Sequence, residues 1–202
     1  MKRTEAESKD LSRRFTENNK RLAAIINPLS TAKYEADFDW RGITRALDGW
    51  AKDYGGMELN PDFQRGHVWT AEQQQHYIEN VLRGVVSSSG FVLQFNCPNW
   101  DSDKVVADLP KGFQCIDGLQ RLTAVQEFLE GNVKPFGLSP SDLDISSFSM
   151  RGSTFRFRVA VHTFSRREDL LSHYLALNTG GTPHSKEEIE RVKALLNSVK
   201  EG

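Results

Sequence analysis

The hydrophobic positions change period along the chain, and each change marks a predicted element. Phe155, Phe157, Val159 and Val161 alternate strictly with Arg156 and Arg158, which predicts a strand with one buried face. "GFVLQFN" and "FQCI" are short apolar runs and read as two more strands. Elsewhere the spacing is helical. Thr70, with Gln73 three residues later, predicts a capping box that opens a helix stopped at Gly84. Ser165 with Glu168 opens another, stopped at Gly180-Gly181, and Ser185 with Glu188 a third that carries Ile189, Val192, Leu195 and Leu196 on one face. Ile43, Leu47 and Trp50 predict a short helix. Leu119, Leu122, Val125, Phe128 and Leu129 predict one that ends at Gly131. "DYGGMELNPDFQRG" reads as loop, short strand and turn, and residues 131–153 as loop. Strands and helices intermix, so the pattern predicts a compact α/β or α+β domain.

Residues 1–36 stand apart as a charged arm or helix ending near Asn27-Pro28, and residues 37–202 form the predicted domain. Over residues 1–21 seven Lys/Arg (Lys2, Arg3, Lys9, Arg13, Arg14, Lys20, Arg21) face four acids (Glu5, Glu7, Asp10, Glu17), a net of +3 that suits either a solvated arm or an acidic partner. Over the whole chain the formal charge is −1, which excludes a surface that coats nucleic acid or membrane without specificity. Cys97 and Cys115 fit a reducing compartment. No apolar run follows the charged start and none reaches membrane-spanning length, so a soluble, cytoplasmic protein is expected.

Three constellations carry candidate chemistry. In "FQCIDGLQRLTAVQEFLEG" a strand passes straight into a helix. Asp117 is placed as N-cap and Gln120 as its capping-box partner, which accounts for both residues without any ligand. Arg121 is the residue that capping does not explain, because a cation in the first turn opposes the helix dipole. A phosphate held by first-turn N–H groups beside Gly118 would reverse that sign; an outward, solvated arginine would also suffice. "NPDFQRGHVWT" places Gln64, Arg65, His67 and Trp69 on a short extended segment, suited to holding a phosphate or stacking on a base, or to a structural Trp under a loop. "LNTGGTPHSKEE" joins two helices through Gly180-Gly181. There is no G-x-x-x-x-G-K-[ST], no H-E-x-x-H among the five histidines and no C-x-x-C, so neither a P-loop nor a structural metal or zinc nuclease is expected.

F-Q-R-x-x-V-W, D-G-x-Q-R-L-T and L-N-T-G-G-T-P, in this order, resemble the domain-of-unknown-function family defined by a DGQQR motif. That family supplies the N-terminal half of GmrSD-type modification-dependent restriction enzymes and of related phage-defence proteins, and the resemblance runs from about Asp37 to Leu196. It implies an α+β fold similar to ParB and sulfiredoxin, a small mixed β-sheet surrounded by helices. It also implies nucleotide binding and hydrolysis that regulate a nuclease. The implied site is Gln64 and Arg65, then Asp117, Gly118, Gln120 and Arg121, with Asn178 and Gly180 on a facing loop. Leu119 departs from the family's Gln, which implies weakened hydrolysis.

The expected function is a nucleotide-binding regulatory domain of a restriction or phage-defence process, with a nucleoside triphosphate and Mg²⁺ as cofactors. Asp117, Gln120 and Arg121 are its expected catalytic set and Trp69 a base-packing candidate. The residues after Asn197 leave no room for a nuclease half, so a separate nuclease or DNA-processing partner is expected. An alternative is a ParB-like DNA-binding module using Arg151, Arg156, Arg158, Arg166 and Arg167, a stripe that otherwise reads as an exposed strand edge protected by charge. A further alternative is a catalytically weakened decoy or scaffold.

Overall fold

The computed structural model describes residues 5–64, 66, 68–87, 90, 92–150, 154–179 and 186–201. The chain divides into two compact units, the first ending at Ser30 and the second beginning at Thr31. The first contains α1 (Glu5–Ile26), whose side chains are almost all exposed. It ends where Asn27 turns to a positive φ of 47° ahead of Pro28.

The second unit is α+β. Its five-stranded mixed sheet has the order β1 (Tyr34–Asp39), β5 (Arg156–His162), β3 (Val92–Asn96), β4 (Phe113–Asp117) and β2 (Met57–Glu58). β1 runs antiparallel to β5, β5 parallel to β3, β3 antiparallel to β4, and β4 parallel to β2. The helices are α2 (Trp40–Tyr54), α3 (Ala71–Leu82), α4 (Leu119–Leu129), α5 (Arg167–Thr179) and α6 (Lys186–Glu201). Short 3₁₀ turns at Pro135–Gly137 and Pro140–Leu143 interrupt the segment read as loop. No helix among the described residues is long and apolar enough to cross a membrane.

Alternation along the strands sorts the interior into two cores. Phe113 and Cys115 of β4, Leu93 and Phe95 of β3, and Phe157, Val159 and Val161 of β5 pack with Trp40, Ile43, Ile78, Leu122, Val125 and Phe128 from α2, α3 and α4. Ile116, one residue out of phase with Cys115, packs instead with Leu170, Leu171 and Tyr174 of α5, Val192 of α6 and Phe63. The sheet is therefore covered on both faces. α3 opens on the expected reciprocal Thr70–Gln73 capping box. The box expected at Ser165–Glu168 is replaced: the Asp108 carboxylate accepts from Arg167 N–H (2.6 Å), and Glu168 pairs with Arg166 and Lys200. The box at Ser185 lies outside the described residues.

β5 is an interior strand, so its arginines do not guard a sheet edge as the sequence suggested. The edge is β1, whose acids face them across the ladder: Asp39 is in register with Arg156, and Arg158 Nε donates to Asp37 Oδ1 at 3.2 Å.

On the α5 side of the sheet lies a polar knot. Gln94 Oε1 of β3 accepts from His162 Nε2 of β5 at 3.0 Å and from His173 Nε2 of α5 at 3.2 Å. The two imidazoles lie 4.4 Å apart and both contact Phe164. Burial, and then the neighbouring His173, push the His162 pKa down to about 4, and burial lowers that of His173. Unfolded imidazoles protonate near pH 6.5, so between there and about pH 4 the unfolded chain binds more protons and stability falls as the pH drops. We expect His162 to account for up to about 3 kcal/mol of that loss. Urea unfolding from pH 7 to pH 4 checks this: His162→Gln, which keeps a donor toward Gln94, should flatten the decline. An unchanged slope in the variant would mean that other groups carry it.

Candidate functional site at the β4–α4 junction

β4 enters α4 through a single residue. Gly118 adopts φ 105°, and a Cβ there would lie 2.5 Å from Leu93 Cδ2 and 3.3 Å from Leu93 Cα. Only glycine lets the chain turn this tightly against β3. Gly118 itself is the N-cap of α4, and no side chain caps the helix. This corrects the expected roles of Asp117 and Gln120. Asp117 stays in the strand, in register with Gln94, and its carboxylate reaches past the turn to Arg121 (Nη2 to Oδ2, 2.8 Å). The Asp117 side chain is 42% exposed and that of Arg121 17% exposed. Arg121 Nη2 also approaches Val92 O at 3.4 Å. The cation at the positive end of α4 thus has an internal counter-ion.

Gln120 points away from the helix terminus. Its Nε2 donates to Gly66 O (2.6 Å), and its Oε1 accepts from Val68 and Trp69 N–H, each at 3.0 Å. Gln64 Nε2 donates to Cys115 O of β4 at 2.7 Å. From the far side, Arg191 of α6 donates to the carbonyls of Asp62, Phe63 (3.1 Å) and Gln64 (3.0 Å). The F-Q-R-x-x-V-W segment is therefore stitched to the D-G-x-Q-R junction by side-chain amides and a guanidinium. That stitching gives the two motifs a structural reason to occur together. Arg65 and His67, within the stitched segment, lie outside the described residues.

Trp69 packs its ring on Tyr77 of α3 at 5.5 Å, against the core. Tyr77 is 8% exposed, and its hydroxyl has no hydrogen-bond partner among the described residues. Burial pushes its pKa up to about 12, against the opposing charge of Arg121. Leu119 is 7% exposed in the main core beside Leu122, so the residue expected to weaken hydrolysis falls on an interior position. Cys115 is buried, and its thiol is pushed up to about 12 by burial and Asp117, so it is an inert strand residue.

The remaining predicted residues do not gather at this junction in one set. Asn178 lies in the last turn of α5 and donates back to Tyr174 O at 2.7 Å. Gly180 and Arg151 lie outside the described residues. Three others of the arginine stripe meet acids: Arg158 meets Asp37, Arg166 meets Glu168, and Arg167 Nη2 donates to Asp62 Oδ2 at 2.6 Å. Two residues of the site had no sequence signal. Arg191 sits more than a hundred residues from the carbonyls it holds, and Tyr77 reads as one more apolar-face position of α3.

Residues 51–154, just over half of the chain, match the family described as GmrSD restriction endonuclease, N-terminal domain. The match spans both stitched motifs and stops before β5. No curated protein and no solved structure matches the chain.

Two substitutions test this construction. Gln120→Ala removes three hydrogen bonds and should cost about 2–3 kcal/mol in urea unfolding, at roughly 1 kcal/mol each. A loss below about 0.5 kcal/mol would show that the 66–69 segment is held by other contacts. Leu119→Gln buries an amide in the core and should cost about 2–4 kcal/mol. A variant as stable as the parent would return position 119 to the polar side of the junction.

Proposed function

Because the chain belongs to the family of GmrSD restriction endonuclease N-terminal domains, we propose that it is a nucleotide-binding regulatory domain of a DNA-restriction, phage-defence process. In this reading it binds the phosphates of a nucleoside triphosphate at the start of α4 and acts with a nuclease or DNA-processing activity. The observation that carries the reading is the start of α4 itself. This eleven-residue helix has no side-chain cap, begins on a glycine with no Cβ, and has the Arg121 guanidinium 3.5 Å from where that Cβ would lie. Such a terminus favours negative charge through its N–H groups and dipole, and Arg121 adds a full cation to it.

Asp117 and Arg121 then divide the work. Arg121 exchanges part of its contact with Asp117 for a phosphate oxygen. Asp117, with one oxygen on Arg121, retains a second for the hydrated Mg²⁺ that accompanies a triphosphate. Gln120 is committed to the 66–69 segment and is not assigned the water-positioning role expected of it. The proposal is accordingly one of binding, with no turnover assigned.

Thermal unfolding with each of the four ribonucleoside triphosphates, with and without Mg²⁺, tests it. At a hundredfold excess over Kd a bound nucleotide adds about 2.7 kcal/mol, a shift of several degrees. We expect at least one triphosphate to give that shift and Arg121→Ala to abolish it while remaining folded. Stabilisation by duplex DNA and by no nucleotide would replace this reading with the DNA-binding one.

A further inference from the structure

We propose that α1 is a self-association helix: its apolar seam packs against α1 of a second copy of this chain, the helices running parallel and in register. The inference starts from a helix whose apolar face has nothing to bury against. α1 runs for 22 residues, yet Phe15 is 66% exposed, Ile25 70%, Ile26 66% and Leu11 49%. Helices in proteins take most of their stability from packing such a face, and this one stays open among the described residues.

The open positions follow a seven-residue repeat. Leu11, Phe15, Asn18, Leu22 and Ile25 are spaced alternately by four and three, the d and a positions of a heptad abcdefg with Phe15 and Leu22 at a. Charged residues keep to the opposite side, with Lys9, Asp10, Arg13, Glu17 and Lys20 at b, c and f. A stripe confined to a and d is the narrow seam of a coiled coil. The polar side also holds its own ion pairs, Lys9 with Glu5 at 2.7 Å and Arg13 with Asp10 at 2.8 Å. They offset part of the basic charge that an anionic membrane surface would attract.

Two features select an identical partner. Asn18 is the polar member of the seam, and an amide between apolar layers is satisfied when another amide sits opposite it. The partner's Asn18 meets that need by symmetry. Along the single helix Arg21 Nη2 donates to Asn18 Oδ1 at 2.9 Å, which leaves the amide N–H groups to reach across the pair. The flanks then select direction. Arg14 and Arg21 occupy g, and in a parallel pair g faces e, here Asn19 and Ile26, so no like charges meet. An antiparallel pair sets g against g and brings arginine to arginine in each alignment of the apolar layers. Leu11, Phe15, Leu22, Ile25 and Ile26 from both helices, at ~100 Å² apiece, remove roughly 1,000 Å² from water. That is the lower end for a specific interface, so the complex forms and dissociates over micromolar concentrations.

Sedimentation equilibrium of the full chain across the micromolar range tests this. The apparent mass should rise from 22.9 kDa to a whole multiple of it. Leucine at a with isoleucine at d admits more than two strands, and the mass fixes their number. Phe15→Glu/Leu22→Glu should weaken association at least tenfold, while Lys20→Glu, on the outer side, should leave it unchanged. Thermal melting of the unit that begins at Thr31 should be the same in every variant. Ser8 also falls at a, so Ser8→Cys treated with diamide should cross-link two parallel, in-register copies. A chain that remains at 22.9 kDa throughout overturns the proposal, and binding of that monomer to phosphatidylserine vesicles would give the seam to a membrane instead. Association that survives Phe15→Glu/Leu22→Glu overturns it by placing the interface elsewhere. Failure of Ser8→Cys to cross-link an associated chain overturns the parallel register.

Discussion

The carboxamide of Gln120 donates to one backbone carbonyl and accepts from two backbone N–H groups of the 66–69 segment, and the rest of the junction is arranged around that clamp. An irregular segment carries backbone groups that secondary structure does not satisfy, so it packs against a sheet only if side chains take them up. Gln120 does so from α4; just ahead of residue 66, Gln64 ties the chain back to Cys115 O, and Arg191 binds the carbonyls of Asp62, Phe63 and Gln64 from α6. Elements from both faces of the sheet thus converge on one loop. Trp69 is delivered onto Tyr77 as a consequence.

The clamp works because α4 starts where it does. A strand that stays buried up to Ile116, then turns within one glycine after Asp117, places Gln120 and Arg121 on different sides of the first helical turn. One side chain goes to the loop and the other back to Asp117. The Asp117–Arg121 pair offsets an unfavourable placement of Arg121 against the dipole, by a few tenths of a kcal/mol up to about 1 kcal/mol. It also keeps the guanidinium beside the terminus, in position for an anion.

What the sequence revealed here depended on how far apart the interacting residues lie. The Thr70–Gln73 box was legible because its two partners are three residues apart, and it formed as expected. Asp117-Gly118-Leu119-Gln120 carries the same local signature and formed something else, because Gln120 has stronger claims on it from residues some fifty positions earlier. Likewise Glu168 left its expected box for Arg166 and Lys200, while Asp108 took over the helix start. β1 was hidden for a related reason: the expected boundary between charged arm and domain, at residues 36 and 37, cut through it, and its role shows only opposite the arginines of β5. The α+β class and the main apolar faces, set by local periodicity, were readable. The assembly of the site, set by Gln64, Gln120, Arg191 and Tyr77 across long separations, was not.

Hydrogen–deuterium exchange on the full chain tests the central claim most directly, namely that the D-G-x-Q-R junction and the loop clamped to it form one phosphate-binding unit. Exchange would be followed with and without a nucleoside triphosphate and Mg²⁺. The account predicts that residues 66–70, 118–122 and the α3 turn containing Tyr77 gain protection together, while α5 and the β1 edge are unaffected. Binding that leaves those three stretches unchanged, or protects only the arginines near β1 and β5, would contradict it.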